Sequence, residues 1–197
     1  MPSAATTWGS TSLERALPFP CDRVLPAAPF ALYRAVGVDA APPVVFRWLC
    51  QLRVAPYSYD LLDNRGRRSP RVLASGLDQL AVGQRFMTIF TLAAFEADSH
   101  VTLRIRTRAS RAIFGDLAVS YMVLADGAGR SRLVVKLRVD LPDDGLLQRV
   151  RRALLAWGDL VMMRKQLLTL KALAEKTARE LPSRKGPSQR YCDLRGE

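Results

Sequence analysis

The chain is short of histidine, short of cysteine and without a long apolar run, and each shortage removes a class of function. Its one histidine, His100 in ADSHVT, falls at a predicted hairpin and reads as a turn residue rather than a general base. A single histidine excludes multi-histidine metal sites, and with His100 read as a turn residue no nucleophile oriented by a histidine base is expected. The three cysteines, Cys21, Cys50 and Cys192, are odd in number and far apart, which argues against a disulfide framework and against a zinc site. They read as free thiols. No segment approaches the roughly 18 consecutive apolar residues that span a bilayer. The opening MPSAATTWGSTSLER has neither the basic start nor the apolar core of a secretory signal, so the cytoplasm is the expected compartment. There is no glycine-rich phosphate loop, no HExxH, no paired CxxC and no GxSxG elbow. No metal or cofactor is expected, and the chemistry left to the chain is that of carboxylates and tyrosines.

What is present describes one globular domain. The 197 residues are 49% hydrophobic, with a mean hydropathy of zero, enough to build a substantial core. Residues 1–14 and 182–197 are small, polar or basic and are expected to be disordered, leaving 15–181 as the folded unit. The net charge of +12 is large and invites a nucleic acid or an acidic membrane as partner. Its densest runs, NRGRRSPR and RIRTRASR, lack interleaved aromatic residues for base stacking, and a solvated basic surface explains them more simply.

The pattern along the chain is α+β. ALYRAVGVDA reads as a first strand, and Pro42 and Pro43 open a short helix, VVFRWLCQL. Asp63, Asn64 and Gly66 then mark a turn in PYSYDLLDNRGRRSP. From there the period is two. QRFMTIFTLAAFEAD, SHVTLRIRTR, IFGDLAVSYMVLAD and SRLVVKLRVDL read as an antiparallel meander, with Leu133, Val135, Leu137 and Val139 inward and Lys136, Arg138 and Asp140 toward solvent. A run of about 39 residues without proline, Asp143 to Leu181, closes the chain as one helix. Gly158 is its expected bend, and its last turns are expected to overhang. Leu147, Val150, Leu154, Trp157, Val161 and Leu168 form an apolar stripe expected to be buried. Around Trp157, Leu160, Val161, Met162 and Met163 the stripe widens, which predicts cover on more than one side or a cavity wall.

Two places carry polar chemistry. PYSYDLLDN gathers Tyr57, Tyr59, Asp60, Asp63 and Asn64, either to hydrogen-bond a ligand at a pocket mouth or to pin a loop. Asp159 interrupts the most apolar part of the last helix, where it pairs with an arginine such as Arg164 or faces solvent.

Strand and short helices, then a long meander, then a long C-terminal helix: this order, with QLRVAPYSYDLLDNRGRRSP, GLDQLAVGQRFMTIF and WGDLVMMRKQLLTLKALAE, resembles the START/Bet v 1-like superfamily, also called the SRPBCC or polyketide cyclase/dehydrase-like group. The resemblance covers about residues 30 to 180. It implies a helix-grip fold, a curved antiparallel sheet wrapped around the last helix with an apolar cavity between. It supplies no catalytic residue, because no one motif unites the group. The function it implies is binding of a small apolar molecule, lipid-like or aromatic and polyketide-like, as a carrier or sensor. The alternative is a cyclase or dehydratase using Tyr59 and Asp60 for proton transfer. Expected wall residues are Trp48, Phe86, Phe90, Tyr121, Trp157, Val161 and Met162; expected polar contacts are Tyr57, Tyr59 and Asp60.

Overall fold

A computed structural model describes residues 3–59, 68–141 and 145–181. After three short helices, α1 (Ala4–Thr7), α2 (Ser12–Ala16) and α3 (Pro20–Val24), come β1 (Phe30–Val38) and α4 (Pro42–Cys50). The meander follows as β2 (Arg85–Phe86), β3 (Phe90–Glu96), β4 (His100–Ile105), β5 (Asp116–Ala125) and β6 (Ser131–Asp140). A helix α5 (Arg108–Phe114) interrupts it between β4 and β5, capped by the Thr107 side chain, and α6 (Gly145–Glu180) ends the described chain. The period-two reading missed α5, whose RASRAIF carries no alternation of its own.

The strands form one curved sheet in the order β1-β6-β5-β4-β3-β2, every neighbouring pair antiparallel. In β6, Leu133, Val135, Leu137 and Val139 face the helix side and join Leu32, Leu103, Val119 and Tyr121 in the main core. The long helix crosses this face, adding Ala156, Leu167, Leu170, Leu173 and Ala174. It runs unbroken through Gly158. Its far end is anchored rather than overhanging: the Trp48 indole N–H donates to Thr177 at 3.0 Å.

The stripe expected to be buried is the wrong one. Leu154, Trp157 and Val161 are 70%, 57% and 51% exposed, while the core takes the stripe displaced around the helix, Ala156, Leu160, Leu167 and Leu170. Both stripes have helical spacing, so periodicity alone cannot choose between them.

The opposite face of the sheet is not solvated either. The segment expected to be disordered up to Glu14 holds α1 and α2, and the N-terminal chain wraps the free edge of β1. On the helix side Ala5 enters the core; at the edge the Trp8 carbonyl accepts the Ala35 N–H at 3.1 Å, covering a strand edge that would otherwise invite pairing. Across the edge, Phe19, Cys21, Leu25 and Ala28 pack on Ala35, Ala118 and Val134. Charges expected to point to water find partners there. Asp22 lies 2.7 Å from Lys136 and 2.9 Å from Arg138, and Glu14 lies 2.5 Å from Arg132. Burial works to raise the Asp22 carboxyl, but hydrogen bonds from Arg138 and Lys136 outweigh it and hold the group below its ordinary range. The tail from residue 182 onward lies outside the described residues.

Cys21 and Cys50 are free and buried. Burial pushes the Cys50 thiol up to about 12 and raises that of Cys21, so neither is a thiolate at neutral pH. A chromogenic disulfide reagent is therefore expected to titrate both only after denaturant is added; rapid labelling of either in the native protein would contradict this packing.

Candidate functional site

Two polar groups of residues interrupt the apolar space between sheet and helix. The first starts at Tyr121 on β5, whose hydroxyl donates to Oε1 of Gln166 on α6 at 2.8 Å. The Gln166 amide in turn donates to the Pro56 carbonyl at 2.6 Å and lies 3.3 Å from the Met87 sulfur. Met163 completes it, 3.7 Å from the Tyr121 hydroxyl. Burial, with the Asp159 charge adding to it, raises the Tyr121 phenol beyond any physiological titration. Tyr121 is thus a neutral hydrogen-bond donor, not a base.

The second group is Arg34 on β1 with Asp159 on α6, at 2.8 Å. Arg34 is 1% exposed, and it also donates to the carbonyls of Tyr33, Ala5 and Ala156. The arginine therefore ties sheet, long helix and N-terminal segment together. The Asp159 contact is an ion pair at contact distance rather than an aligned hydrogen bond. Burial pushes the Asp159 carboxyl up to about 6, with Arg34 pulling the other way, and the same burial lowers Arg34. Desolvation outweighs attraction on both partners, which is the expected balance for a buried pair. The partner anticipated for Asp159 was Arg164; that guanidinium instead sits over the Trp8 ring at 5.8 Å.

A cleft of about 350 Å³ is lined by Tyr57, Ser58, Tyr59, Ser69, Arg71, Lys165 and Thr169. Two of its lining residues, Tyr57 and Lys165, are chain neighbours of Pro56 and Gln166, which are hydrogen-bonded to each other. The backbone is strained at Tyr57, which lines the cleft, and in the connection between β2 and β3. Tyr57, Met87 and Thr88 have φ of 56°, 42° and 65°, three of the four non-glycine residues with positive φ among those described. Such conformations persist only where surroundings enforce them, and they gather at ligand sites and switches.

Against this geometry the expected residues separate. Trp48, Phe86 and Tyr121 are fully buried in the main core, and Trp48 meets Tyr57 edge-on at 6.1 Å. Phe90 packs at the border of that core, and Met162 is partly buried. Tyr57 and Tyr59 line the cleft, Tyr57 buried and Tyr59 40% exposed. Asp60 lies outside the described residues. Trp157 and Val161 are on the outer side of α6, turned from the sheet; Trp157 borders a second, 200 Å³ cleft with Ser3, Ala5, Phe30 and Arg152. Arg34, Gln166 and Met87 were not anticipated; Met163 falls in the stretch expected to be covered or to face a cavity. A lone arginine inside the apolar run of β1 was a signal for Arg34, and the sequence held none for Gln166. Among the described residues no group of His, Cys, Asp and Glu could hold a metal ion, and no helix is long and apolar enough to cross a membrane.

No protein-family model matches the chain, and no curated protein sequence matches it. Solved structures do. Protein MLL2253 from Mesorhizobium loti is 14% identical, with 75% of this chain and 98% of that one covered and a TM-score of 0.48. Ara h 8.0201 is 11% identical, covering 77% and 99%, with a TM-score of 0.45. CalC from Micromonospora echinospora, described as a self-sacrificing resistance protein, is 16% identical, covering 79% and 97%, with a TM-score of 0.42. The element order and the antiparallel sheet closed by one long C-terminal helix are those of the helix-grip fold.

Proposed function

We propose that the protein binds a small apolar molecule, lipid-like or aromatic, as a carrier or sensor, with entry at the Tyr57 and Tyr59 cleft. The observations that support this most are the cleft with its strained Tyr57, and the Met87 and Met163 thioethers against the Gln166 and Tyr121 group, which the Gln166 bond to the Pro56 carbonyl joins to the start of the cleft segment. Methionine side chains repack at low cost, so a ligand entering past Pro56 would displace thioethers rather than branched core residues. Gln166 and Tyr121 would then supply the few convergent polar groups that orient an otherwise apolar ligand. The proposal stops at binding, because a proton-transfer reading needs Asp60 as well as Tyr59.

Thr169, partly buried, lines the cleft from the long helix. Thr169→Trp is expected to weaken uptake of an apolar fluorescent dye by ~10-fold or more while leaving the thermal midpoint near that of the parent. Fluorescence titration checks this. A dye that binds both proteins equally, or neither, would sink the proposal.

A further inference from the structure

The long helix carries two apolar stripes, and the fold uses one. The other, Leu146, Val150, Leu154, Trp157, Val161 and Leu168, is exposed along some 22 residues, which at 1.5 Å per residue is about 33 Å of surface. Among the described residues from Gly145 to Ala172, every exposed position of this helix is apolar, glycine or cationic. The cations are Arg149, Arg164 and Lys165. The one acid in that stretch, Asp159, is turned inward to Arg34.

The end of α5 extends the same surface. Arg151 donates to the Ile113 carbonyl at 2.8 Å, which places the exposed Ile113 and Phe114 beside the start of the long helix. Arg108 and Arg111 are exposed on α5. Asp116, just after α5, is paired, 2.7 Å from Arg104 and 3.6 Å from Arg111.

We propose that this face, the outer side of the long helix with the end of α5, docks on an anionic lipid bilayer. The face combines an apolar stripe that includes a tryptophan with flanking cations, and an anionic bilayer satisfies both: the acyl boundary takes Leu, Val and Trp, and the headgroups take Arg and Lys. Other occupants satisfy only half. A second copy would cover the apolar stripe but set Arg149, Arg164 and Lys165 against the same charges of another +12 chain. A nucleic acid would meet the cations and leave the stripe in water. The helix lies on the membrane rather than through it, since its other side is committed to the core. This inference stands whether or not the cleft holds a ligand.

The test is flotation of the full chain with vesicles of phosphatidylcholine alone and of phosphatidylcholine mixed with phosphatidylglycerol. Binding to the mixed vesicles at low salt is expected, with little to the neutral ones. Leu154→Glu with Val161→Glu, both at exposed positions, is expected to lower the bound fraction ~10-fold or more. Arg149→Glu with Lys165→Glu is expected to lower it similarly and to flatten its salt dependence. Quenching of Trp157 by bromolipid, lost in Trp157→Phe, gives a readout in the parent fold that needs no folded variant of the stripe. The proposal is overturned by absence of binding to the anionic vesicles, or by binding that the Leu154 and Val161 changes leave intact. It is equally overturned by a dimer in sedimentation that those changes dissociate, or by duplex DNA that competes without their affecting its affinity.

Discussion

Asp159→Ala is expected to lower the free energy of unfolding by about 3–5 kcal/mol, because it strands a guanidinium that is 1% exposed between the sheet and the long helix. The carbonyls of Tyr33, Ala5 and Ala156 remain as acceptors, but none carries the compensating charge. Removing both partners together, Arg34→Leu with Asp159→Leu, is expected to restore most of the loss, since apolar replacement of a whole buried pair is often neutral or better. Denaturant unfolding of the two single variants and the double variant measures this. A double variant as unstable as Asp159→Ala would mean that Arg34 holds the N-terminal segment through its carbonyl contacts rather than through the ion pair.

The same carboxylate gives a pH signature. Its folded value, about 6, stands above the usual unfolded value of about 3.9. The unfolded chain therefore gives up this proton first as pH rises. The part of Asp159's contribution that depends on titration is fully present below about pH 4 and is lost as pH climbs through about 6, separately from the contact with Arg34 that Asp159→Ala removes. Glu14, Asp22, Asp116 and Glu175 are held below their ordinary values and act in the opposite sense, losing their contributions as pH falls. The clean measurement is the difference in stability between parent and Asp159→Asn from pH 4 to 7. A difference that stays flat there would show that the group titrates normally.

Gly9→Ala is expected to cost on the order of 3 kcal/mol. Gly9 sits where the N-terminal chain crosses the edge of β1, with φ of +72°, and a Cβ built there would lie 2.1 Å from the Ala35 carbonyl oxygen. Backbone cannot swing away from such a contact as the end of a side chain can, and an L-residue at that φ is strained besides. The chain would have to lift off the edge, giving up the Ala35 bond to Trp8 and the Arg132 bond to the Gly9 carbonyl. Amide exchange at Ala35 is the local readout. It should accelerate sharply in the variant; unchanged protection would mean that the crossing relaxes in place.

The sheet and the last helix were legible because alternation and helical periodicity are local. In β5 and β6 every second side chain is large and apolar, which fixes strand, register and inner face without reference to anything distant. Tyr57 and Tyr59 stood out for the same reason, as polar aromatics clustered in a turn-rich stretch. What was not legible depended on which of two permitted partners a group meets. The outer side of β6 reads as solvated from Lys136 and Arg138, yet both lie against Asp22, more than a hundred residues earlier. Gln166 reads as a surface residue until Tyr121 and Pro56 are brought to it.

By itself the sequence determined the α+β composition, the antiparallel meander and the long terminal helix. Only the tertiary structure decided which of the two helical stripes is buried, that the N-terminal residues wrap the edge of β1, and that Arg34 rather than Arg164 meets Asp159. The reason is physical: periodicity specifies that a face is apolar, whereas its partner is chosen by the closest packing of segments far apart in the chain, and a helix with two apolar faces has no local term that tells them apart.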